Sequence, residues 1–166
     1  MVGFSTLELM VTLAIMAILA AIAIPGFATW IPDYKLKSAV QDLYSNIQRT
    51  KLEAVKNNST RTITFNTGND TYTKPDGSSV SLADDYGKGI KFGQGNASQG
   101  VGGEAFGDFV TFASPDNVAS FSARGLCNNT TPGYVYITNS KGTAYAAGAS
   151  MAGAVFLRKW NGSTWE

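Results

Sequence analysis

One acidic side chain, Glu8, lies at the start of the most apolar part of the chain. No charged residue follows it until Asp33, so residues 9–32 form an uncharged run of 24 residues. A helix of about 20 apolar residues is long enough to cross the hydrocarbon core of a bilayer. A carboxylate at the edge of such a segment is costly unless a cation pairs with it. We therefore expect Glu8 to be paired with the amine of a neighbouring chain of the same kind or of a close relative.

The other polar residues offer little catalytic chemistry. The 166 residues include no histidine and one cysteine, Cys127, which excludes Ser-His and Cys-His catalysis and the commonest zinc ligand. No charged neighbours activate Cys127, so we expect it to be a small buried hydrophobic residue. Calcium needs six or more oxygen ligands, so the adjacent acids Asp84-Asp85 are expected to be a solvated loop. We predict no enzyme activity, no catalytic residue, no metal and no cofactor.

The composition favours an exported, β-rich domain that follows the apolar segment. The 13 Lys and Arg residues nearly balance the 12 Asp and Glu residues, and the net charge is +1. The chain as a whole therefore has no general attraction to nucleic acid or to an anionic membrane. Charged residues make up 15% of the chain, and small polar residues and glycine are abundant after residue 57.

Two consecutive helical segments must position Glu8. The apolar segment from Phe4 to Pro32 is followed by an amphipathic pattern over residues 33–57. A proline removes one backbone hydrogen bond, so a kink or local unwinding is expected at Pro25-Gly26. A single helix over both segments would be roughly 80 Å long, too long for a small domain to bury. The predicted apolar stripe of the second segment consists of Leu36, Val40, Leu43, Ile47, Leu52 and Val55.

Residues 60–166 show the alternation typical of β-strands. The segments "TRTITFN" and "TYTK", joined by "TGND", predict a hairpin. "PDG" at 75–77 predicts a turn, and Asn161-Gly162 predicts a tight turn near the end of the sequence. Eight glycines between Gly87 and Gly107 predict a mobile surface loop. Further strands are expected at 89–92, 109–113, 118–122, 133–139, 143–147 and 153–160.

The first residues resemble the class III signal of type IV pilins and pseudopilins. The resemblance comes from Gly3-Phe4-Ser5-Thr6-Leu7-Glu8, the apolar run that follows and Pro25. It implies that a membrane prepilin peptidase cuts after Gly3 and methylates the new amine of Phe4. In a low-dielectric bundle, that amine and Glu8 of an adjacent subunit would neutralise each other. The leader, residues 1–3, has no lysine or arginine, so it is either unusually short or the true start lies upstream.

A second resemblance covers most of the chain. The segment "KLKSAVQDLYSNIQRTKLEAVKNNSTRTITF" and the later "FSARGLCN", "GYVYITNS" and "MAGAVFLRKW" resemble the GspH/FimT group of minor pseudopilins. The resemblance implies an α+β fold, the type IV pilin-like fold, in which the second half of a long N-terminal helix packs on antiparallel β-sheets. The expected parts are a leader (1–3), a transmembrane or filament-core helix (4–32) and a globular domain (33–166). The C-terminal disulfide of many major pilins is excluded because Cys127 is alone.

The resemblance also implies a cellular role. The expected protein is a structural subunit in the bacterial inner membrane, with its globular domain on the extracytoplasmic side, that moves into a pilus or pseudopilus. Its implied partners are membrane lipid, the prepilin peptidase, an inner-membrane assembly platform and other pilin or pseudopilin subunits. A minor subunit is favoured, and the main subunit of a filament is the first alternative.

A DNA receptor is the second alternative. Some FimT-type proteins bind DNA through arginines in a C-terminal Gly-Arg-Xaa-Arg pattern, and the matching residues here are Gly153-Ala154-Val155-Phe156. Neither arginine is present. Arg158, Lys159 and Trp160 follow directly and could form one small basic patch on which a base stacks. We expect a solvated strand end instead, so DNA is not a favoured partner.

Overall fold

The chain is dominated by one N-terminal helix. The structure, a computed structural model, describes residues 5–112, 117–129 and 131–166. Helix α1 runs from Thr6 to Lys56, 51 residues, and is roughly 77 Å long. Ser5 caps its first turn, because its side-chain oxygen accepts a hydrogen bond from the backbone N–H of Leu7 at 3.3 Å. The helix ends where Asn58 adopts a positive φ of 45°.

The expected unwinding of α1 at Pro25-Gly26 is not observed. The helix is continuous through both residues, so of the two expected features, a kink or local unwinding, the unwinding is absent. A proline removes only its own N–H from the helical ladder. The residues on both sides, such as Ala23 and Phe27, continue the helix, so the missing hydrogen bond does not interrupt it.

The rest of the chain forms eight strands and one short helix in the described residues. These elements are β1 (Arg61–Asn66), β2 (Thr71–Thr73), β3 (Ser79–Ser81), α2 (Leu82–Tyr86), β4 (Lys91–Phe92), β5 (Val118–Phe121), β6 (Gly133–Thr138), β7 (Ala144–Ala149) and β8 (Val155–Lys159). They form two four-stranded sheets, in the orders β3-β2-β1-β5 (sheet A) and β4-β6-β7-β8 (sheet B). Every strand pair is antiparallel. The α+β prediction, a long N-terminal helix packed on antiparallel sheets, is confirmed.

The second half of α1 supplies one side of the hydrophobic core. Its buried residues face Ile63 and Phe121 of sheet A and Val135 and Ile137 of sheet B. Four members of the predicted stripe are buried, but Leu52 and Val55 are exposed, and Thr50 and Ala54 take their places. At 3.6 residues per turn, positions 50 and 54 continue the line, whereas position 52 points to the opposite side. The buried residues of this half are Leu36, Ala39, Val40, Leu43, Ile47, Thr50 and Ala54.

The predicted β-hairpin and turns are present, but two other regions differ from the prediction. The acids Asp84 and Asp85 lie in α2 and not in a loop, because Ser81 caps that helix and accepts a hydrogen bond from the N–H of Asp84 at 3.2 Å. The predicted strand 109–113 contributes, in its described residues, one isolated bridge between Val110 and Val135. Strand β4 already pairs with the other end of β6, at Ile137.

The glycine-rich segment between Gly87 and Gly107 packs partly into the core. It contains β4, which lies within the predicted strand 89–92. Ile90, Phe92 and Ala97 are buried, so the prediction of a mobile surface loop is wrong for these three residues. Its glycines permit close packing: a Cβ atom on Gly95 would lie 2.3 Å from the carbonyl oxygen of Gly142. The segment therefore closes one end of sheet B.

Candidate assembly site

The first half of α1 is exposed and apolar. Every residue from Thr6 to Ile24 is exposed, and this segment is long and apolar enough to cross a membrane. An exposed apolar surface of this size marks a contact with other proteins or with lipid. The large exposed side chains before Asp33 are Leu7, Leu9, Met10, Val11, Leu13, Ile15, Met16, Ile18, Leu19, Ile22, Ile24, Phe27, Trp30 and Ile31.

Glu8 lies in the first turn of α1 and is exposed. A carboxylate at this position interacts favourably with the positive end of the helix dipole. The first basic residue of the helix is Lys35, 27 positions further on, roughly 40 Å along the axis. No basic side chain of α1 can therefore neutralise Glu8. Gly3 and Phe4, the predicted processing residues, lie outside the described residues.

A polar cluster attaches α1 to sheet B where the exposed half of the helix ends. We call it the Asp33 clamp, and its members are Asp33, Asn139, Lys141 and Thr143. One carboxylate oxygen of Asp33 accepts hydrogen bonds from Asn139 Nδ2 at 2.7 Å and Thr143 Oγ1 at 2.9 Å. The other oxygen accepts from Lys141 Nζ at 2.8 Å, and Lys141 also donates to the carbonyl oxygen of Thr29.

The clamp fixes the direction in which the apolar half of α1 projects. The turn between β6 and β7 is itself held by Asn139, whose side-chain oxygen accepts from the backbone N–H groups of Lys141 at 3.0 Å and Thr143 at 3.1 Å. Side-chain hydrogen bonds from Lys141, Asn139 and Thr143, together with the charge of Lys141, outweigh the desolvation of Asp33 and lower the pKa of its carboxyl group. Asp33 is therefore ionised at neutral pH, as these three donors require.

Further hydrogen bonds join the second half of α1 to the globular domain. Tyr86 of α2 donates to Asp42 at 2.8 Å, and Lys51 Nζ donates to the carbonyl oxygen of Gly153 at 2.8 Å. Gly153 has a positive φ of 76°, and a Cβ there would lie 1.8 Å from the carbonyl oxygen of Gly125. With the Asp33 clamp, these contacts fix the globular domain to the helix at both ends.

The three residues of the alternative basic patch near the end of the chain do not share one surface. Arg158 and Lys159 are consecutive on β8, so their side chains point to opposite faces of sheet B. Lys159 lies 6.0 Å from the centre of the Tyr145 ring. Trp160 is only 7% exposed and packs against Trp165, with ring centres 5.4 Å apart. Arg158, Lys159 and Trp160 therefore do not form one basic surface with a free stacking ring, which is the less favoured of the two arrangements considered for this strand end.

Cys127 is buried, as predicted, and 5% of its surface is exposed. Burial raises the pKa of its thiol, so the thiol stays protonated at neutral pH. Among the residues that the structure describes, no three His, Cys, Asp or Glu side chains are placed to hold a metal ion.

Sequence reasoning missed the Asp33 clamp. Asp33 is the first charge after the apolar run, and "TNSKGT" at 138–143 combines a turn with hydrogen-bonding side chains. Both signals are visible in the sequence. The two segments meet only because sheet B packs against α1, and no local sequence pattern predicts that packing.

Comparison with known proteins gives one family. Residues 39–153 match the family described as type II transport protein GspH. Two crystal structures of the type IV minor pilin FimU from Pseudomonas aeruginosa strain PAO1 are similar to the chain. The first is 14% identical, the match covers 81% of this chain and 94% of the FimU chain, and the TM-score is 0.49. The second is 16% identical, the match covers 79% of this chain and 97% of the FimU chain, and the TM-score is again 0.49. No curated protein matches. Since the family match spans more than half of the sequence, the chain belongs to the GspH family of type II transport proteins.

Proposed function

We propose that this chain is a minor, non-enzymatic subunit of a type II secretion pseudopilus or a type IV pilus. The observation that carries the proposal is the division of α1 into two halves. The first half is exposed and apolar, and the second half is buried against two sheets. An exposed apolar helix of some 40 Å is unfavourable in water. A subunit that moves from a membrane into a helical bundle buries it in both places, first in lipid and then against other helices.

The proposed life cycle begins in the inner membrane. Prepilin peptidase cuts between Gly3 and Phe4 and methylates the amine of Phe4. The membrane-embedded assembly platform then moves the subunit into the filament, where α1 exchanges lipid for the helices of other subunits. Family membership and the apolar segment support this sequence of events.

Glu8 is the proposed registry device of assembly. Since α1 offers it no basic partner within roughly 40 Å, its carboxylate is available to the Phe4 amine of an adjacent subunit. An uncompensated carboxylate within an apolar bundle is costly, so only the axial step that joins the two charges is favourable. Glu8 would thus select one subunit stacking over the others.

The minor role distinguishes the proposal from its first alternative, a main subunit. The GspH family match supports the minor role. Quantification of subunits in sheared filaments decides between them: we expect this chain at a small fraction of the most abundant subunit. A chain that accounts for most of the filament mass would contradict the minor role.

Intact-mass measurement tests the processing step. The protein purified from cells with active prepilin peptidase should begin at Phe4 and carry one methyl group, whereas cells without the peptidase should yield the uncut chain. Gly3→Ala should reduce cleavage and Gly3→Leu should block it, because the peptidase must approach the backbone closely at this position. A mature chain that begins elsewhere would contradict the proposal.

A further inference from the structure

Five exposed lysines surround α1 where its apolar half joins the globular domain. Two come from the helix, one follows α2 and two come from sheet B and its β6–β7 turn. They are separate from Glu8 and from the apolar face. We call them the basic collar: Lys35, Lys37, Lys88, Lys141 and Lys159.

Four of the five collar lysines line two hollows beside the helix. Lys35 and Lys88 line the first, next to Ile31 and Pro32. Lys37 and Lys159 line the second. Asp33 is the single acidic side chain among the described residues that line either hollow, and Lys141 already pairs with it at 2.8 Å. Four lysines therefore remain without an acidic partner in the two hollows, although the whole chain carries a charge of only +1.

Two aromatic rings lie next to the collar at the end of the apolar segment. Trp30 and Tyr34 are 60% and 59% exposed, and their ring centres are 5.3 Å apart. Both line the second hollow with Lys37 and Lys159. Rings of this kind collect at the boundary between the hydrocarbon core and the headgroups, where one side is apolar and the other is hydrated.

We propose that the basic collar, with Trp30 and Tyr34, binds the anionic headgroups of membrane lipids on the side of the globular domain. The inference rests on the proposed membrane insertion of α1. Lys37 follows Trp30 by seven residues, about 10 Å along the helix. With the Trp30 ring at the hydrocarbon boundary, the collar ammonium groups reach the level of the lipid phosphates, and flexible lysine stems accommodate the rest.

The site is complementary to its ligand in charge and position. Each lysine near an anionic lipid surface strengthens binding about fivefold. Headgroups without a net charge are attracted only weakly to the lysines. The collar therefore enriches anionic lipid around the subunit and holds the base of the globular domain on the membrane. Extraction into a filament has to break these contacts.

Quenching of Trp30 fluorescence tests the proposal on the full chain. The chain is reconstituted in phosphatidylcholine vesicles with a minor fraction of phosphatidylglycerol, and one lipid or the other carries bromine near the top of its acyl chains. We expect brominated phosphatidylglycerol to quench about fivefold more, at equal mole fraction, than brominated phosphatidylcholine. Salt should reduce the difference. Trp30→Phe identifies the signal, since Trp160 and Trp165 lie in the globular domain.

Two sets of neutral substitutions make the test specific. Lys35→Gln, Lys37→Gln and Lys88→Gln together should remove most of the lipid preference. Lys56→Gln, Lys74→Gln and Arg124→Gln remove the same charge away from the collar and should leave it intact. Circular dichroism on both variants checks that they fold.

Two results would overturn the proposal. Equal quenching by the two lipids in the unmodified chain, or a preference that survives the collar substitutions, would show that the collar does not select anionic headgroups. Absence of quenching by either lipid would instead show that α1 is not inserted, and would overturn the proposed function together with the collar.

Discussion

At the scale of single residues, Glu8 carries the assembly proposal, and its isolation makes it testable. Its nearest basic residue on α1 is Lys35, 27 positions away. Glu53, a half-buried acid of the same helix, already pairs with exposed Arg49 at 2.8 Å. Helix α1 thus contains Glu8, which has no basic partner on the helix, and Glu53, whose paired carboxylate serves as the control.

Glu8→Ala should leave membrane insertion and cleavage intact and reduce incorporation into filaments. An amine left buried without its partner costs about 3–5 kcal/mol, a loss of more than about a hundredfold in subunit association. Immunoblots of sheared filaments and of membrane fractions measure both outcomes. The control Glu53→Ala removes a surface ion pair worth about 1 kcal/mol or less and should incorporate normally. Normal incorporation of Glu8→Ala would remove Glu8 from its proposed role.

Gly153→Ala should destabilise the domain more than Gly77→Ala does. Both glycines have similar positive φ values, 76° and 84°, but a Cβ meets the Gly125 carbonyl at 1.8 Å only at Gly153. The left-handed conformation alone costs alanine about 1–2 kcal/mol, and the collision adds to it at Gly153. Urea unfolding of both variants measures the difference. Equal destabilisation of the two variants would mean that the turn between β7 and β8 shifts to accommodate the new Cβ without loss of stability.

At the scale of elements, α1 is two helices in one: an apolar surface before Asp33 and a core-forming face after Leu36. The apolar run and the 3.6-residue stripe predicted both parts because each is a local pattern. The prediction that Leu52 belongs to the buried stripe is wrong, because hydrophobicity alone does not determine which side of a helix a residue occupies. That side is determined by the angle of the residue around the helix axis relative to Leu43 and Ile47. The burial of Thr50 has no hydrophobic signal, and its hydroxyl is satisfied by the carbonyl oxygen of Asn46 at 2.8 Å.

Other parts of the fold depend on contacts that the sequence does not report locally. Strand β3 has three residues, too few for alternation to be recognised, and it exists because β2 pairs with it. The glycine-rich segment looked like a free loop, yet Ile90 and Phe92 anchor it in the core. The Asp33 clamp combines residues more than 100 positions apart.

Asp33→Asn should weaken the docking of α1 in a pH-dependent way. The pKa of Asp33 is lowered below its ordinary 3.8, so its carboxylate stabilises the folded state above about pH 4, and this contribution is lost as pH falls further. We expect the variant to be about 1–2 kcal/mol less stable at neutral pH, since the site is partly exposed. Urea unfolding across the pH range measures both proteins.

The decisive result is the gap between the two proteins as a function of pH. It should begin to narrow near the ordinary pKa of 3.8 and should close only below the lowered pKa of Asp33, where the folded chain binds the proton. Asp76→Asn is the control, because the pKa of Asp76 is also lowered, through its bonds to Ser78 in an exposed turn. Its stability gap should be smaller. If the difference in the free energy of unfolding between Asp33→Asn and the unmodified chain did not change with pH, the charge of Asp33 would contribute nothing to the stability of the clamp.

At the scale of the whole molecule, the charges are nearly balanced but unevenly distributed. The basic collar surrounds the base of the globular domain, whereas Arg158 lies on the outer face of sheet B, away from α1, beside Tyr134. Trp160 is enclosed by Ala97, Ala144 and Trp165. A nucleic acid on the outer face of sheet B would therefore meet Arg158 without Lys159 or the Trp160 ring beside it, which bears on the DNA-receptor alternative.

The globular domain should bind duplex DNA weakly at physiological salt. A fragment that begins at Pro32 retains every buried hydrophobic residue that the structure describes, since the first of these is Leu36, and is expected to fold. Phosphate contacts dominate DNA affinity and weaken steeply with salt, and the two arginine positions of the FimT-type pattern are Ala154 and Phe156 here. Titration of this fragment with duplex DNA at two salt concentrations is the measurement. Tight, salt-sensitive binding that Arg158→Ala and Lys159→Ala abolish would contradict the prediction and favour a DNA receptor. Tight binding that survives both changes would contradict it as well, and would point to Lys88 and Lys91 beside the base of the domain.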